Sequence, residues 1–439
     1  MRWRKPLAGI LIFFMILVTI LDGFSLLSSF QRPLWIAGMA GWASAFLLVA
    51  DTPGILRIQL GVIIGVGLGL GMYAMSLGGT VDPDSIIAGN TGLLSMIAAV
   101  GFLRLVALPV TETSEHLPVG PRAYLQTLVG LNLSSAIINI SAPILIGDRI
   151  HRKRPLQRFT SQSMTRVFCG AASWSPFFGA MAVVLTNLVD AKLSWIILAG
   201  LPFTIIGVLV VYIEAKLRYR DEMEEFVGYP MHAGALGIPL LLLVSVALAR
   251  WLLPTVPVLV IISVCALAIT LAVLSIRGNP LSSLTQTGGY ITEGLPRIVN
   301  ELTLFLSAGL IAAGMSAMIK LGVVPVPFDT FDAGIASRVL GIMLLSAALG
   351  IHPVILISSF TPMLLTLDPD PNLLAITYLL AWNLGTGSSP LSGTHLVFQG
   401  RYDIPSWKGA TWNWPYAAFM YAVAVPWLHI IEALTIPQA

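Results

Sequence analysis

The sequence predicts an all-α polytopic membrane protein with about eleven transmembrane helices of about 20 residues each, plus two re-entrant hairpins, in two inverted-topology repeats. Three observations carry this. The 439 residues are 56% hydrophobic and only 10% charged, with a mean hydropathy of +0.87; a soluble chain needs far more charge to cover its surface. The Lys and Arg residues between the apolar runs follow a parity that fixes orientation. One helix-breaking motif, Ser-Pro-x-x-Gly, recurs at equivalent places in the two halves.

The apolar runs fall near 8–30, 34–50, 55–77, 85–110, 162–188, 193–214, 231–252, 254–276, 299–320, 372–398 and 412–434. The first follows a basic flank like that of a signal peptide. Its apolar run is too long for one, and no small-residue cleavage site follows, so it reads as a retained helix. Arg2, Arg4 and Lys5 place the N-terminus in the cytoplasm. Four crossings then return "TETSEHLPVGPR" (111–122) to that side, where the basic cluster Arg149, Arg152, Lys153, Arg154 and Arg158 also belongs. Segment 122–147 therefore starts and ends on one face, and is too short to cross twice: it is a hairpin. The basic "AKLRYR" (215–220), Arg277 and "GRYDIPSWKG" (400–409) set the later loops the same way. They leave "LDPDPN" (367–372) and the C-terminus outside, and make 334–367 a second hairpin from the opposite face.

This divides the chain into N-terminal helices outside the repeat (1–54), repeat 1 (55–214), a cytoplasmic linker with a connecting helix (215–253) and repeat 2 (254–439). Repeat 1 holds hairpin 122–147 and the broken helix 162–188; repeat 2 holds hairpin 334–367 and the broken helix 372–398. The breaks are "CGAASWSPFFGAM" (169–181) and "LGTGSSPLSGTHL" (384–396). Gly170, Pro176 and Gly179 interrupt the first, and Gly385, Gly387, Pro390 and Gly393 the second. Proline lacks an N–H and crowds the preceding turn, while glycine relaxes the backbone. Such a break survives at membrane depth only inside protein or beside a watery cavity. Paired breaks at mid-membrane are the mark of a transport site: the half-helix N-termini suit an anion, and released carbonyls suit Na⁺. Ser173 and Ser175 at the first break, with Thr386, Ser388, Ser389 and His395 at the second, are candidate substrate-binding residues. The hairpin tips are expected around 132–143 and 357–363. Each holds a Ser-Ser pair followed by proline, making Ser134, Ser135, Asn139, Ser358, Ser359 and Thr361 candidates as well.

The arrangement over 55–434 resembles the ion transporter superfamily and, within it, the divalent anion/sodium symporter family. The resemblance implies eleven crossings, two opposed hairpins, two broken helices, an elevator mechanism and a homodimer. In that family each hairpin tip carries Ser-Asn-Thr for sodium and substrate carboxylates. Here "LSSA" (133–136) and "SSFT" (358–361) stand in its place, so Na⁺ near Ser134, Ser135, Ser358 and Ser359 is an expectation carried by architecture, and the substrate stays open.

Other polar residues have plainer readings. Asn132 and Asn139 suit a hairpin cap, and Arg166 and Arg338 read as snorkelling to the interface. Asp22 reads as structural, and Glu293, Arg297 and Glu301 as marks of a surface-lying amphipathic segment at 281–298. His352 and His395 are the ionisable groups inside the expected site. Two cysteines, Cys169 and Cys265, match no metal spacing, and no basic patch suggests nucleic acid.

The function expected is secondary active transport, not enzymatic catalysis: a small anionic solute such as an organic carboxylate, coupled to Na⁺ or H⁺. The partners are that solute, the lipid bilayer and a second copy, and the location is a bacterial inner membrane. A channel and the membrane subunit of a multi-component system are the alternatives. An intramembrane serine enzyme lacks a supporting acid, and its break has no reason to be duplicated. Reporter fusions test the parity: alkaline phosphatase joined after Lys216 should be inactive, and joined after Asp368 active. The reverse pattern would invert the topology.

Overall fold

The computed structural model describes residues 3–106, 117–152, 155–228 and 237–435. In chain order the helices are α1 (Arg4–Gly23), α2 (Pro33–Leu48), α3 (Gly54–Ser76), α4 (Pro83–Ile87), α5 (Thr91–Gly101), α6 (Pro121–Ile138), α7 (Ser141–His151), α8 (Arg158–Gly170), α9 (Gly179–Asn187) and α10 (Leu193–Arg218). They continue with α11 (Arg220–Glu224), α12 (Gly237–Leu252), α13 (Val258–Arg277), α14 (Pro280–Gly289), α15 (Val299–Lys320), α16 (Ala333–Ala348), α17 (Pro353–Leu364), α18 (Pro371–Ser388), α19 (Gly393–Tyr402) and α20 (Ser406–Thr435). Among the described residues the only β pairing is an isolated bridge between Val119 and Val227.

Eight helical stretches among the described residues are long and apolar enough to cross a membrane. The three other expected crossings are the two that break and 231–252, whose described helix begins at Gly237. Parts of that run (231–236), of the loop 111–122 and of the basic cluster (Lys153, Arg154) lie outside the described residues.

The chain forms two compact units. The first takes Met1–Pro109, Gly237–Pro327 and Ser358–Thr366; the second takes Val110–Leu236, Phe328–Ile357 and Leu367–Ala439. Each unit draws on both halves of the sequence.

In the first unit α3 and α15 lie close because glycines face each other. A Cβ on Gly67 would stand 2.8 Å from the Leu310 backbone, and one on Gly314 would stand 2.9 Å from the Gly67 carbonyl. Small residues of this kind let membrane helices approach backbone to backbone. Ala74, Ala317 and Met318 extend the seam, and the Asn90 amide donates to the Phe305 carbonyl at 2.7 Å. Residues 281–298, expected as a surface segment, are helical and continue into α15 in one run of 40 residues, Leu281–Lys320. That run contains a π turn (Tyr290–Gly294) and a 3-10 turn (Leu295–Ile298). Pro296, which lacks an N–H, accounts for the irregular hydrogen bonding there. Asp22 falls in the last turn of α1, half-buried.

The second unit contains the hairpin α6–α7, the pair α8–α9, α10, and most of the corresponding elements of the other half. From α16 to α20, each helix starts 212 to 214 residues after its counterpart among α6 to α10. The first hairpin turns at Asn139, with φ of 51°, and the Asn139 N–H donates to the Ser135 carbonyl.

The second hairpin turns elsewhere than expected. Its turn spans 349–352, between α16 and α17, and "SSFT" lies inside α17 with Pro362 within the helix. The reason is a glycine helix stop. Gly350 has φ of 99°, its N–H donates to the Ala347 carbonyl, and the Ile351 N–H donates to the Ser346 carbonyl. These are the paired bonds of a Schellman motif, which a residue at positive φ permits. Ser346 thereby takes the place before the turn that Ser135 takes in the first hairpin. Ser358, Ser359 and Thr361 are helical residues of the first unit, more than a turn past the bend.

The glycine seam predicts that Gly67→Leu and Gly314→Leu each lower stability by about 1–3 kcal/mol through overpacking. Thermal unfolding of the purified protein in detergent checks this. Gly65→Leu, at a position with open space for a Cβ, should unfold like the parent.

Candidate functional site

Both breaks form where the motif stands. After α8, a 3-10 turn (Ala171–Ser173) runs into non-helical residues 174–178, and helix resumes at Gly179. After α18, residues 389–392 are non-helical and helix resumes at Gly393. Pro176 and Pro390 offer no N–H to the turn before them, so carbonyls of that turn need other donors.

Neighbouring side chains supply many of them. At the first break the Thr204 hydroxyl donates to the Gly170 carbonyl at 2.9 Å, and the Ser175 hydroxyl donates to the Ala136 carbonyl on α6. The Trp174 indole donates to the Asn132 side chain at 3.2 Å, and the Asn132 amide donates to the Val167 carbonyl at 2.8 Å. At the second break the Trp414 indole donates to the Ser388 carbonyl at 3.0 Å, and the Ser388 hydroxyl donates to the Leu384 carbonyl. His395 Nδ1 lies 2.9 Å from the Ser389 carbonyl and 3.0 Å from the Ser392 hydroxyl.

The two breaks meet. The Asn383 amide donates to the Ser173 hydroxyl at 2.9 Å, with both residues buried. A Cβ on Gly387 would stand in ordinary contact with Cys169 Sγ, at 3.9 Å. α10 presses on the first break from behind, since a Cβ on Gly200 would overlap the Ser173 carbonyl. Gly385 lies tight against Ala347, whereas Gly393 has open space around it. α18 is buried from Asn372 to Ser388 and α8 from Phe159 to Gly170. α8 is buried all round although it carries Thr160, Ser161, Gln162, Ser163, Thr165 and Arg166, which lipid-facing helices avoid.

Arg166 does not snorkel. It is 3% exposed, because α10 and α20 supply partners at depth. Its Nε donates to Asn413 Oδ1 at 2.8 Å, Nη1 pairs with Glu214, and Nη2 donates to the Trp412 carbonyl at 3.1 Å. The guanidinium also lies over the Tyr416 ring, 4.7 Å from its centroid. Beside it is a cavity of about 10 Å³, room for one water-sized species, lined among others by Arg166, Cys169, Asn383, Ser388, Asn413 and Tyr416. Ser135 Oγ, Gln162 Oε1, Thr165 Oγ1, Thr386 Oγ1 and Ser389 Oγ, all buried in this unit, have no hydrogen-bond partner.

The structure thus places Ser135, Ser173, Ser175, Thr386, Ser388, Ser389 and His395 in one compact unit, all of them buried. Ser134 sits beside Ser135 in the last turns of α6, half-buried, and Asn139 is the turn itself. Ser134 and Ser135 belong to the second unit and Ser358 and Ser359 to the first. His352 accepts from the Val354 N–H at 3.2 Å and packs edge-on against Trp382, a structural role at the start of α17. Among the described residues no three His, Cys, Asp or Glu side chains come together to hold a metal. Ser389 Oγ has no partner and His395 Nδ1 meets the Ser389 carbonyl; no nucleophile–base hydrogen bond joins them.

Asn383, Asn413 and Glu214 are among the site residues that the sequence alone does not single out. Each is a polar side chain inside an apolar run, which is the one local signal that could have found them.

No family model matches the chain, and no curated protein matches it. Among solved structures it is similar to the Alcanivorax borkumensis YdaH transporter, described as revealing an unusual topology. The identity is 14% and the TM-score 0.40, over 98% of this chain and 99% of that one. At that score no residue role is carried over from it.

The ion pair predicts an asymmetry. Glu214→Leu leaves Arg166 buried and unpaired, and should cost about 3–5 kcal/mol. Arg166→Met leaves Glu214, 19% exposed, able to rehydrate, and should cost less. The double variant should unfold at a higher temperature than Glu214→Leu alone; equal melting of the double and that single would remove the charge pairing as the cause.

Proposed function

We propose that this protein is a secondary active transporter of a small anionic solute, an organic carboxylate or a similar oxyanion. Coupling is to Na⁺ or H⁺, and the mechanism is alternating access of the elevator type. The observation that carries the reading is the meeting of two Ser-Pro-x-x-Gly breaks in one compact unit, with a buried arginine beside them. Each break ends one helix and begins another. The ends of α8 and α18 release carbonyl oxygens, which suit a cation, and the starts of α9 and α19 present N–H groups, which suit an anion. Unpartnered hydroxyls of Ser135, Thr386 and Ser389 add adaptable hydrogen-bonding capacity. The constant offset of α16–α20 from α6–α10 supports a repeat, and the charge parity of the loops supports its inversion. An inverted repeat would give a site the same construction from either side of the membrane, as alternating access needs.

On this reading the protein acts as a homodimer in a bacterial inner membrane. The first unit serves as the scaffold, and the second, with the hairpin α6–α7 and both breaks, is the moving body.

Uptake into proteoliposomes tests it, with a labelled panel of small carboxylates, sulfonates and inorganic oxyanions under an imposed Na⁺ gradient and separately a pH gradient. Saturable uptake driven by one gradient is expected, falling at least tenfold in Ser389→Ala and Ser175→Ala, the equivalent of about 1.4 kcal/mol or more each. Linear, non-saturating flux would favour a channel. No flux from folded protein would favour a missing partner subunit.

A further inference from the structure

The side chain of Asn413 stands between the buried arginine and the buried histidine, and its orientation is determined by two bonds that do not involve the histidine. Oδ1 accepts from Arg166 Nε at 2.8 Å, and Nδ2 donates to the Gly409 carbonyl at 2.9 Å. Arginine is always a donor and a carbonyl always an acceptor. Flipping the amide would set N–H against N–H on one side and oxygen against oxygen on the other. The second N–H of Nδ2 is therefore the group that meets His395 Nε2, at 3.5 Å. On the far side of the ring, Nδ1 meets the Ser389 carbonyl at 2.9 Å. A ring whose Nδ1 faces an acceptor and whose Nε2 faces a donor is neutral and protonated at Nδ1.

We infer that Asn413 is a positioning residue which holds His395 in the neutral Nδ1–H form and links its protonation to the Arg166–Glu214 pair. When Nε2 gains a proton from water, the ring becomes a cation whose new N–H points at the N–H of Asn413. The amide must turn away, and in turning it takes its oxygen from Arg166 Nε. The guanidinium is then held by Glu214, the Trp412 carbonyl and the Tyr416 ring alone. One proton at the second break thus loosens the partner of the first broken helix.

The charged groups around the ring agree with a neutral state here. Arg166 faces it from α8 through Asn413, with Glu214 on α10 beyond. Lys408 on α20 and Arg401 on α19 are exposed. Among the described residues no carboxylate is hydrogen-bonded to either ring nitrogen to favour the cation. Use of this proton as the coupling ion rests on the transporter reading above; the tautomer and its link to Arg166 do not.

The test is ¹⁵N NMR of the full-length protein with labelled histidine, reconstituted in nanodiscs, with the His395 signals assigned by difference from His395→Gln. At pH 7.5 the parent should show a protonated Nδ1 and an unprotonated Nε2. Asn413→Leu removes the opposing donor, and Asn413→Asp replaces it with an acceptor. The midpoint of the His395 titration should rise in the order parent, Leu, Asp. The last step should reach about one pH unit or more, as expected for a carboxylate set against an imidazolium. The pH profile of uptake, where uptake is measured, should move with it. An Nε2–H ring in the parent would overturn the inference whether or not any variant folds. So would equal titration midpoints in the parent and both folded variants, the result of a merely structural asparagine.

Discussion

Backbone hydrogen bonding is the constraint on which the rest of this molecule depends. In hydrocarbon an unpaired N–H or C=O costs several kcal/mol, and two prolines at depth each leave a turn of helix short of donors. Each break persists because side chains from other helices reach carbonyls it leaves, as Thr204 and Trp414 do; Ser175, within the first break, anchors it by donating to the Ala136 carbonyl of α6. The burial of α8 and α18 on all sides follows from the same requirement, since only protein can surround backbone of this kind. The polar side chains of α8 are there for the surroundings that the break imposes.

The charge at the centre follows a second rule. A guanidinium cannot be neutralised by losing its proton, so burying one demands partners for its fork. Arg166 finds a carboxylate, an amide oxygen, a carbonyl and an aromatic face. These partners come from α10 and α20, the unbroken helices that follow the two broken pairs. The arginine therefore ties both halves of the chain into one unit, at a position one turn before the first break.

How much of this could be read in the sequence depends on range. The Ser-Pro-x-x-Gly breaks are local chemistry, and residues 174–178 and 389–392 are non-helical where the motif stands. The serine pairs point to 357–363 for the second turn, whereas the turn belongs to Gly350 and to Pro353, which starts the next helix. Arg166 reads locally as a snorkelling cation beside a basic loop; the partners that keep it buried lie 48 and 247 residues away. The bond from Asn383 to Ser173 spans 210 residues. No window of sequence contains both members of such a pair.

That distance along the chain has a consequence for biosynthesis. Each hairpin closes through bonds between residues three to five apart and can form as the chain emerges. The network around the breaks cannot. Asn413, the Trp412 carbonyl, the Trp414 indole and the Tyr416 ring all belong to α20, the last helix described. Until that helix is made and inserted, Arg166 has lost most of its partners, and the second break lacks its indole donor. The membrane must hold an unfinished arginine while more than two hundred residues are still to come, and assembly of the unit is then completed in a single step by the arrival of one helix.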